Sequence, residues 1–158
     1  MCDLNNAIPL IALVTSIVSV VIALAALMIS REKLRMDLYN RRFEIFRAAV
    51  NLRNLHCEEW TRSDAQLEVR SAFFRALEEA GFLFKEGSGV IEVLNRMHLA
   101  SQFIVRHEPP SQPGYPDDEQ RRYVEDKVWI TDGSIRELRE NIAPFLNFKT
   151  LTEWPGIE

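Results

Sequence analysis

The sequence predicts an all-α protein, with one N-terminal transmembrane helix continuing into a small antiparallel cytoplasmic helical bundle. Three observations predict it. Residues 7–29 form a run of 23 without a charged side chain. Residues 30–55 then contain neither glycine nor proline and carry apolar side chains at helical spacing. No stretch of useful length alternates apolar and polar residues with the period of two that a half-buried strand requires.

The apolar run comes first. As a helix rising about 1.5 Å per residue it reaches roughly 35 Å, enough to cross a hydrocarbon core of about 30 Å with some tilt. Pro9 falls in the first turn, where its missing N–H costs little. The many Val and Ile residues do not argue for a strand, because a lone strand in lipid leaves its backbone unpaired. A cleavable signal peptide is the competing explanation, and Ala23-Leu-Ala25 resembles a cleavage triplet. Against it, the tail of residues 1–6 has no Lys or Arg, and the run exceeds the usual core of roughly 7–15 residues. Cys2 is not preceded by an apolar signal, so the order is wrong for a lipoprotein.

Charge sets the expected orientation. Residues 31–47 hold six basic and three acidic side chains, whereas the tail offers only Asp3. The positive-inside rule then places residues 1–6 outside as a short extracytoplasmic tail, residues 7–29 in the membrane and residues 30–158 in the cytoplasm. Residues 48–158 carry thirteen basic and nineteen acidic side chains, so the basic excess is confined to the membrane-proximal helix. Arg31, Lys33 and Arg35 are the expected contacts to anionic lipid head groups, at about 1 kcal/mol each near the surface.

Within the span, Ala12, Ser16, Ser19, Ala23, Ala26 and Ser30 follow an unbroken 4-3-4-3-4 spacing. A face of small residues lets a second helix approach closely, which makes a homo-oligomer the expectation, although such residues are common enough in spans for the pattern to arise by chance. No ionisable group lies in the span, so an ion path or proton relay within one helix has no support.

The chain beyond the membrane reads as successive helices. Leu34, Leu38, Ile45, Ala49 and Leu52 form one stripe of the first; Tyr39, Phe43, Phe46 and Val50 form an adjoining one, wide enough to touch two neighbours. Residues 61–66 read as a loop and capping box. A second helix, roughly 64–80, buries Leu67, Phe73, Phe74, Leu77 and Ala80 and stops at Gly81, where Phe82, Leu83 and Phe84 seal the corner. Gly87-Ser-Gly89 starts a third helix to about Arg106, presenting Val90, Ile91, Leu94, Met97, Ile104 and Val105. Residues 107–116, with four prolines, form a loop. A fourth helix starts near Asp117 and carries Tyr123, Val124, Val128, Trp129 and Ile130, with Asp132-Gly133 as an interruption. A last helix, about 134–142, ends at Pro144, and residues 145–148 pack back.

Three stretches form an ordered set: Lys33-Leu-Arg-Met-Asp-Leu-Tyr-Asn-Arg-Arg-Phe-Glu-Ile-Phe46 directly after the apolar run, Gly81-Phe-Leu-Phe84, and Ala143-Pro-Phe-Leu-Asn-Phe148. Together they resemble a widespread group of uncharacterised bacterial single-pass membrane proteins. The likeness covers most of the chain except residues 107–135. It implies a bacterial inner-membrane protein with a helical cytosolic domain, and it implies no activity and no catalytic residues.

Composition and motifs bound the chemistry. At 158 residues with 47% apolar content the chain is neither disordered nor, with only Cys2 and Cys57, a disulfide framework. A net charge of −4 argues against a general nucleic-acid binder. His56-Cys-Glu-Glu59, with His98 or His107, contains metal-ligand types, but adjacent helical residues diverge by about 100° and no paired spacing is present. A Cys57–His dyad for nucleophilic catalysis requires the fold to bring a histidine close. Residues 85–90 lack the spacing of a phosphate loop. Asp117-Asp118-Glu119 beside Arg121-Arg122 is an acidic first turn that suits the helix dipole. Tyr115, Trp60, Trp129 and Trp154 are possible partner contacts, with Trp129 expected in the core.

These features predict a membrane-anchored, non-enzymatic interaction or regulatory protein with a cytosolic protein partner, no cofactor and no metal. The alternative is a membrane-perturbing effector of a bacterial defence or stress system, supported by size and topology. An enzyme using Cys57 or the histidines is the third class.

Overall fold

The computed structural model describes residues 4–57, 64–107 and 117–146. All regular structure among them is helical. The elements are α1 (Leu4–Cys57), α2 (Asp64–Leu83), α3 (Val90–Arg106), α4 (Asp117–Val128), a π-helical turn (Trp129–Gly133) and α5 (Ser134–Leu146). The capping-box residues Thr61 and Ser63, most of the proline-rich loop and residues 147 and 148 lie outside the described residues. The chain divides into two compact units, Met1–Leu38 and Tyr39–Glu158.

In the first unit α1 is long and apolar enough to cross a membrane. None of its apolar window is buried by protein. Leu13, Ile17, Val21, Leu24 and Met28 all stand exposed.

The second unit has its own core. Ile45, Ala49 and Leu52, spaced one turn apart on α1, are buried against Phe73, Ala76 and Ala80 of α2 and against Val90, Val93, Leu94 and Met97 of α3. Leu138 and Ile142 of α5 complete the cluster. The buried positions of α3 recur every three or four residues from Val90 to Ile104, so one face of this helix meets α2 and α5. A smaller cluster joins Ala100 and Ile104 to Tyr123 and Ile130.

Several expectations shift. Helix α2 continues through Gly81 to Leu83. Gly81 faces open space, and a single helical glycine costs only about 1 kcal/mol. Phe82 therefore points outward at 91% exposure, while Phe84 is buried. Leu67 and Phe74 are exposed rather than core, because Phe73, Ala76 and Ala80 define the buried face of α2. Val124 and Val128 are exposed and Trp129 is half-buried; Tyr123 and Ile130 are the inward residues. Leu34 is exposed, so that stripe becomes core only from Ile45 onward.

Pro144 sits inside α5, which extends to Leu146. Only the last turn follows it, so the lost amide hydrogen bond falls in an exposed segment. Asp132-Gly133 does mark an irregularity, but the chain stays helical: the Ser134 amide donates to the Trp129 carbonyl, five residues back.

The carbonyls loosened by this π turn are satisfied from the side. Arg53 Nε donates to Thr131 O at 2.8 Å, and Ser134 Oγ donates to Ile130 O at 2.7 Å. Gly133 permits the turn, because a Cβ there would lie 3.1 Å from Cδ1 of Trp129. The Trp129 ring is held in turn by Arg96, whose guanidinium carbon lies 4.0 Å from the ring centroid, and its Nε1 donates to Glu137 at 3.2 Å.

Candidate functional site

In the first unit, Ala12, Ser16, Ser19, Ala23, Ala26 and Ser30 are all exposed on α1. Their mean spacing of about 3.6 residues, the repeat of the helix, keeps them on one face. The hydroxyls of Ser19 and Ser30 donate to the carbonyls of Thr15 and Ala26, each at 2.8 Å. Thr15 likewise donates to Ala12 O at 3.2 Å. These side chains thus present methylene and methyl surface, with the polar atom satisfied inside the helix. Beyond the small residues, Arg31 and Lys33 are exposed, whereas Arg35 pairs with Glu32 at 3.3 Å. At about 100° per residue, Arg31 and Arg35 share one side of the helix and Lys33 faces the other.

The second unit spends two of the basic residues that follow. Arg41 pairs with Glu79 at 2.7 Å. Arg42 is half-buried and donates from Nε and Nη2 to Leu83 O, at 3.3 and 3.2 Å, and from Nη1 to Phe145 O at 3.3 Å. Both acceptors lie in the last turns of their helices, α2 and α5, where carbonyls have no helical partner and the dipole favours a cation. Phe84 and Phe145 meet edge to face, with centroids 5.3 Å apart, and Arg42 lies over both rings. Burial pulls the guanidinium below its ordinary pKa. Three stretches distant in sequence (33–46, 81–84 and 143–146) therefore meet at one arginine. The sequence offered only a basic pair and two aromatic corners as clues to it.

The histidines go to separate partners. His56 is buried, and its Nε2 shares a 2.9 Å hydrogen bond with Ser101 Oγ. Its Nδ1 is buried without a hydrogen-bond partner. Burial, and then the positive charges of Arg70 and Lys127, push the imidazole down to a pKa of about 4, so it is neutral at pH 7. His98 accepts from Gln102 Nε2 at 2.9 Å and leans on Phe74. His107 donates from Nδ1 to Phe103 O at 2.8 Å and stacks on that ring. Among the described residues no group of three or more His, Cys, Asp and Glu side chains could hold a metal ion. Cys57 is an exposed free thiol at the end of α1, and Glu58 and Glu59 lie outside the described residues.

A cavity of about 540 Å³ opens between α1, α2 and α3, lined by Leu52, Phe73, Phe74 and Val105 with Arg70 and Arg106. Ser101, the partner of His56, also borders it. A second depression of about 570 Å³, between α1 and α2, is lined by residues of both charges, among them Glu44, Arg47, Arg75 and Glu79.

No family model matches the chain, and neither a curated protein nor a solved structure matches it.

Proposed function

We propose that this protein is a membrane-anchored, non-enzymatic interaction protein of the bacterial inner membrane. It self-associates through its transmembrane helix and presents a cytoplasmic bundle of antiparallel helices to a cytosolic protein partner. The observation that carries this reading is the exposed, charge-free surface of α1 over residues 12–30, which water does not tolerate and a bilayer does. The basic excess after it supports an N-terminus outside and a cytoplasmic C-terminal unit. The small-residue face supports close helix–helix approach. Because Ser19 and Ser30 spend their hydroxyls within the helix, van der Waals packing drives that contact more than interhelical hydrogen bonding.

The test is crosslinking in native membranes, with Ser19→Leu and Ala23→Leu as controls. A dimer or larger species that both bulky changes weaken is the expected result. A strictly monomeric wild type removes self-association. Release of the chain by alkaline carbonate, or protease access to its C-terminus from outside intact cells, removes the anchoring or the orientation.

A further inference from the structure

The depression between α1 and α2, about 570 Å³ in volume, carries charges of both signs around an apolar floor. Ile45, Ala48, Val69, Ala72 and Ala76 form that floor. Its alanines shorten the distance at which another helix can pack. Glu44 and Arg47 on α1, with Glu68 and Arg75 on α2, border it. All four are exposed, and none makes an ion pair with another described residue. Glu79, on the same rim, is already paired with Arg41 at 2.7 Å.

Two unpaired glutamates and two unpaired arginines decide what fits. A strongly acidic or strongly basic partner satisfies one pair and repels the other. A second copy, turned about a twofold axis, offers the same balance in return. The Arg41–Glu79 pair fixes the register of the two helices. About one turn from it, Glu44 on α1 and Arg75 on α2 flank the floor without meeting each other within the chain.

We infer that this groove docks against the same groove of a second copy, alanine floor to alanine floor, with Glu44 of each chain paired to Arg75 of the other. The contact deepens the self-association proposed above and rests on that reading, which anchors both chains in one membrane the same way up. Exposed ion pairs are individually weak. Confinement to one membrane offsets this by raising the effective concentration of the second copy.

Disulfide trapping in native membranes tests it, on the full chain carrying Cys2→Ser and Cys57→Ser. Ala48→Cys should give a covalent dimer on oxidation, whereas Val128→Cys, exposed on α4, should not. Glu44→Arg and Arg75→Glu should each lower the Ala48→Cys yield about fivefold, and the two together should restore it. General damage to the fold gives no such rescue. Ser19→Cys reports the span separately. Trapping at the span but not at Ala48→Cys overturns the groove contact and leaves the span's self-association standing. Trapping at Ala48→Cys alone does the reverse, and trapping at neither removes both. Equal yields at Ala48→Cys and Val128→Cys, an adduct of any mass other than the dimer's, or a double reversal without rescue would also overturn the inference.

Discussion

Arg42 and Phe145 stand 103 residues apart, yet the arginine donates from Nη1 to the phenylalanine's carbonyl at 3.3 Å and lies over its ring, 5.4 Å from the centroid. The same guanidinium reaches Leu83 O. One side chain from α1 thus closes the ends of α2 and α5 together. Charged hydrogen bonds of this kind contribute about 1.5–3 kcal/mol each when partly buried, and solvent screening brings an exposed one toward the lower bound.

Arg42→Leu should therefore lower the stability of the second unit by about 2–4 kcal/mol. Arg42→Lys, which keeps the charge but not the fork, should fall between that variant and wild type. Urea unfolding followed by circular dichroism reads both. Identical midpoints for wild type and Arg42→Leu would show that the corner holds without its arginine.

His56 carries a pH dependence whose sign follows from its depressed pKa. The unfolded chain takes up a proton near pH 6.5, whereas the folded chain resists it down to about pH 4. Above pH 6.5 both states are neutral and no penalty exists. As pH falls from 6.5 toward 4 the unfolded state is favoured, by about 2 kcal/mol at pH 5. Arg70 on α2 and Lys127 on α4 are the positive groups that oppose protonation. His56→Gln should remove this component, so the stability difference between wild type and variant should change by that amount between pH 7 and pH 5. Parallel pH curves would contradict it.

Gly89 precedes α3 with φ +77°, and a Cβ there would lie 2.8 Å from the side chain of Asn141. Asn141 Nδ2 donates to the Gly89 carbonyl at 3.4 Å, tying α5 to the start of α3. Gly89→Ala should cost about 1–3 kcal/mol, from left-handed backbone strain and displacement of Asn141. Asn141→Ala in the same chain should recover part of the loss, the steric part only, so the two changes should not add. A fully additive pair of unfolding midpoints would mean that the contact is not made.

Arg53 satisfies the Thr131 carbonyl of the π turn at 2.8 Å. Arg53→Ala should destabilise the turn by about 1–3 kcal/mol and raise amide hydrogen exchange locally at residues 129–134. Exchange unchanged in those residues would show that the turn keeps its own hydrogen bonds without help from α1.

The order of helices, their approximate limits and the charge-free run were legible in the sequence because each is a local property. The 26 residues from 30 to 55, without glycine or proline to stop a helix, give one, and Gly87-Ser-Gly89 starts another. The buried positions Ile45, Ala49, Leu52, Phe73, Leu94 and Met97 follow from the same periodicity. Phe74, Phe82, Leu67 and Val128 were misplaced because periodicity tells which residues share a face and not how wide the covering neighbour is.

The sequence by itself determined that this chain is helical, that one segment suits lipid, and where its charges fall. Only the tertiary structure decided which polar groups are used. Arg42, counted in sequence among a basic cluster, is committed to the ends of α2 and α5. His56, a candidate ligand, became a buried neutral partner of Ser101. Arg70 came to border an apolar cavity beside Arg106. The reason is one of range: apolar spacing acts over a turn of helix, whereas the pairing of a charge depends on which distant carbonyl, ring or hydroxyl the packing of three helices brings within about 3 Å.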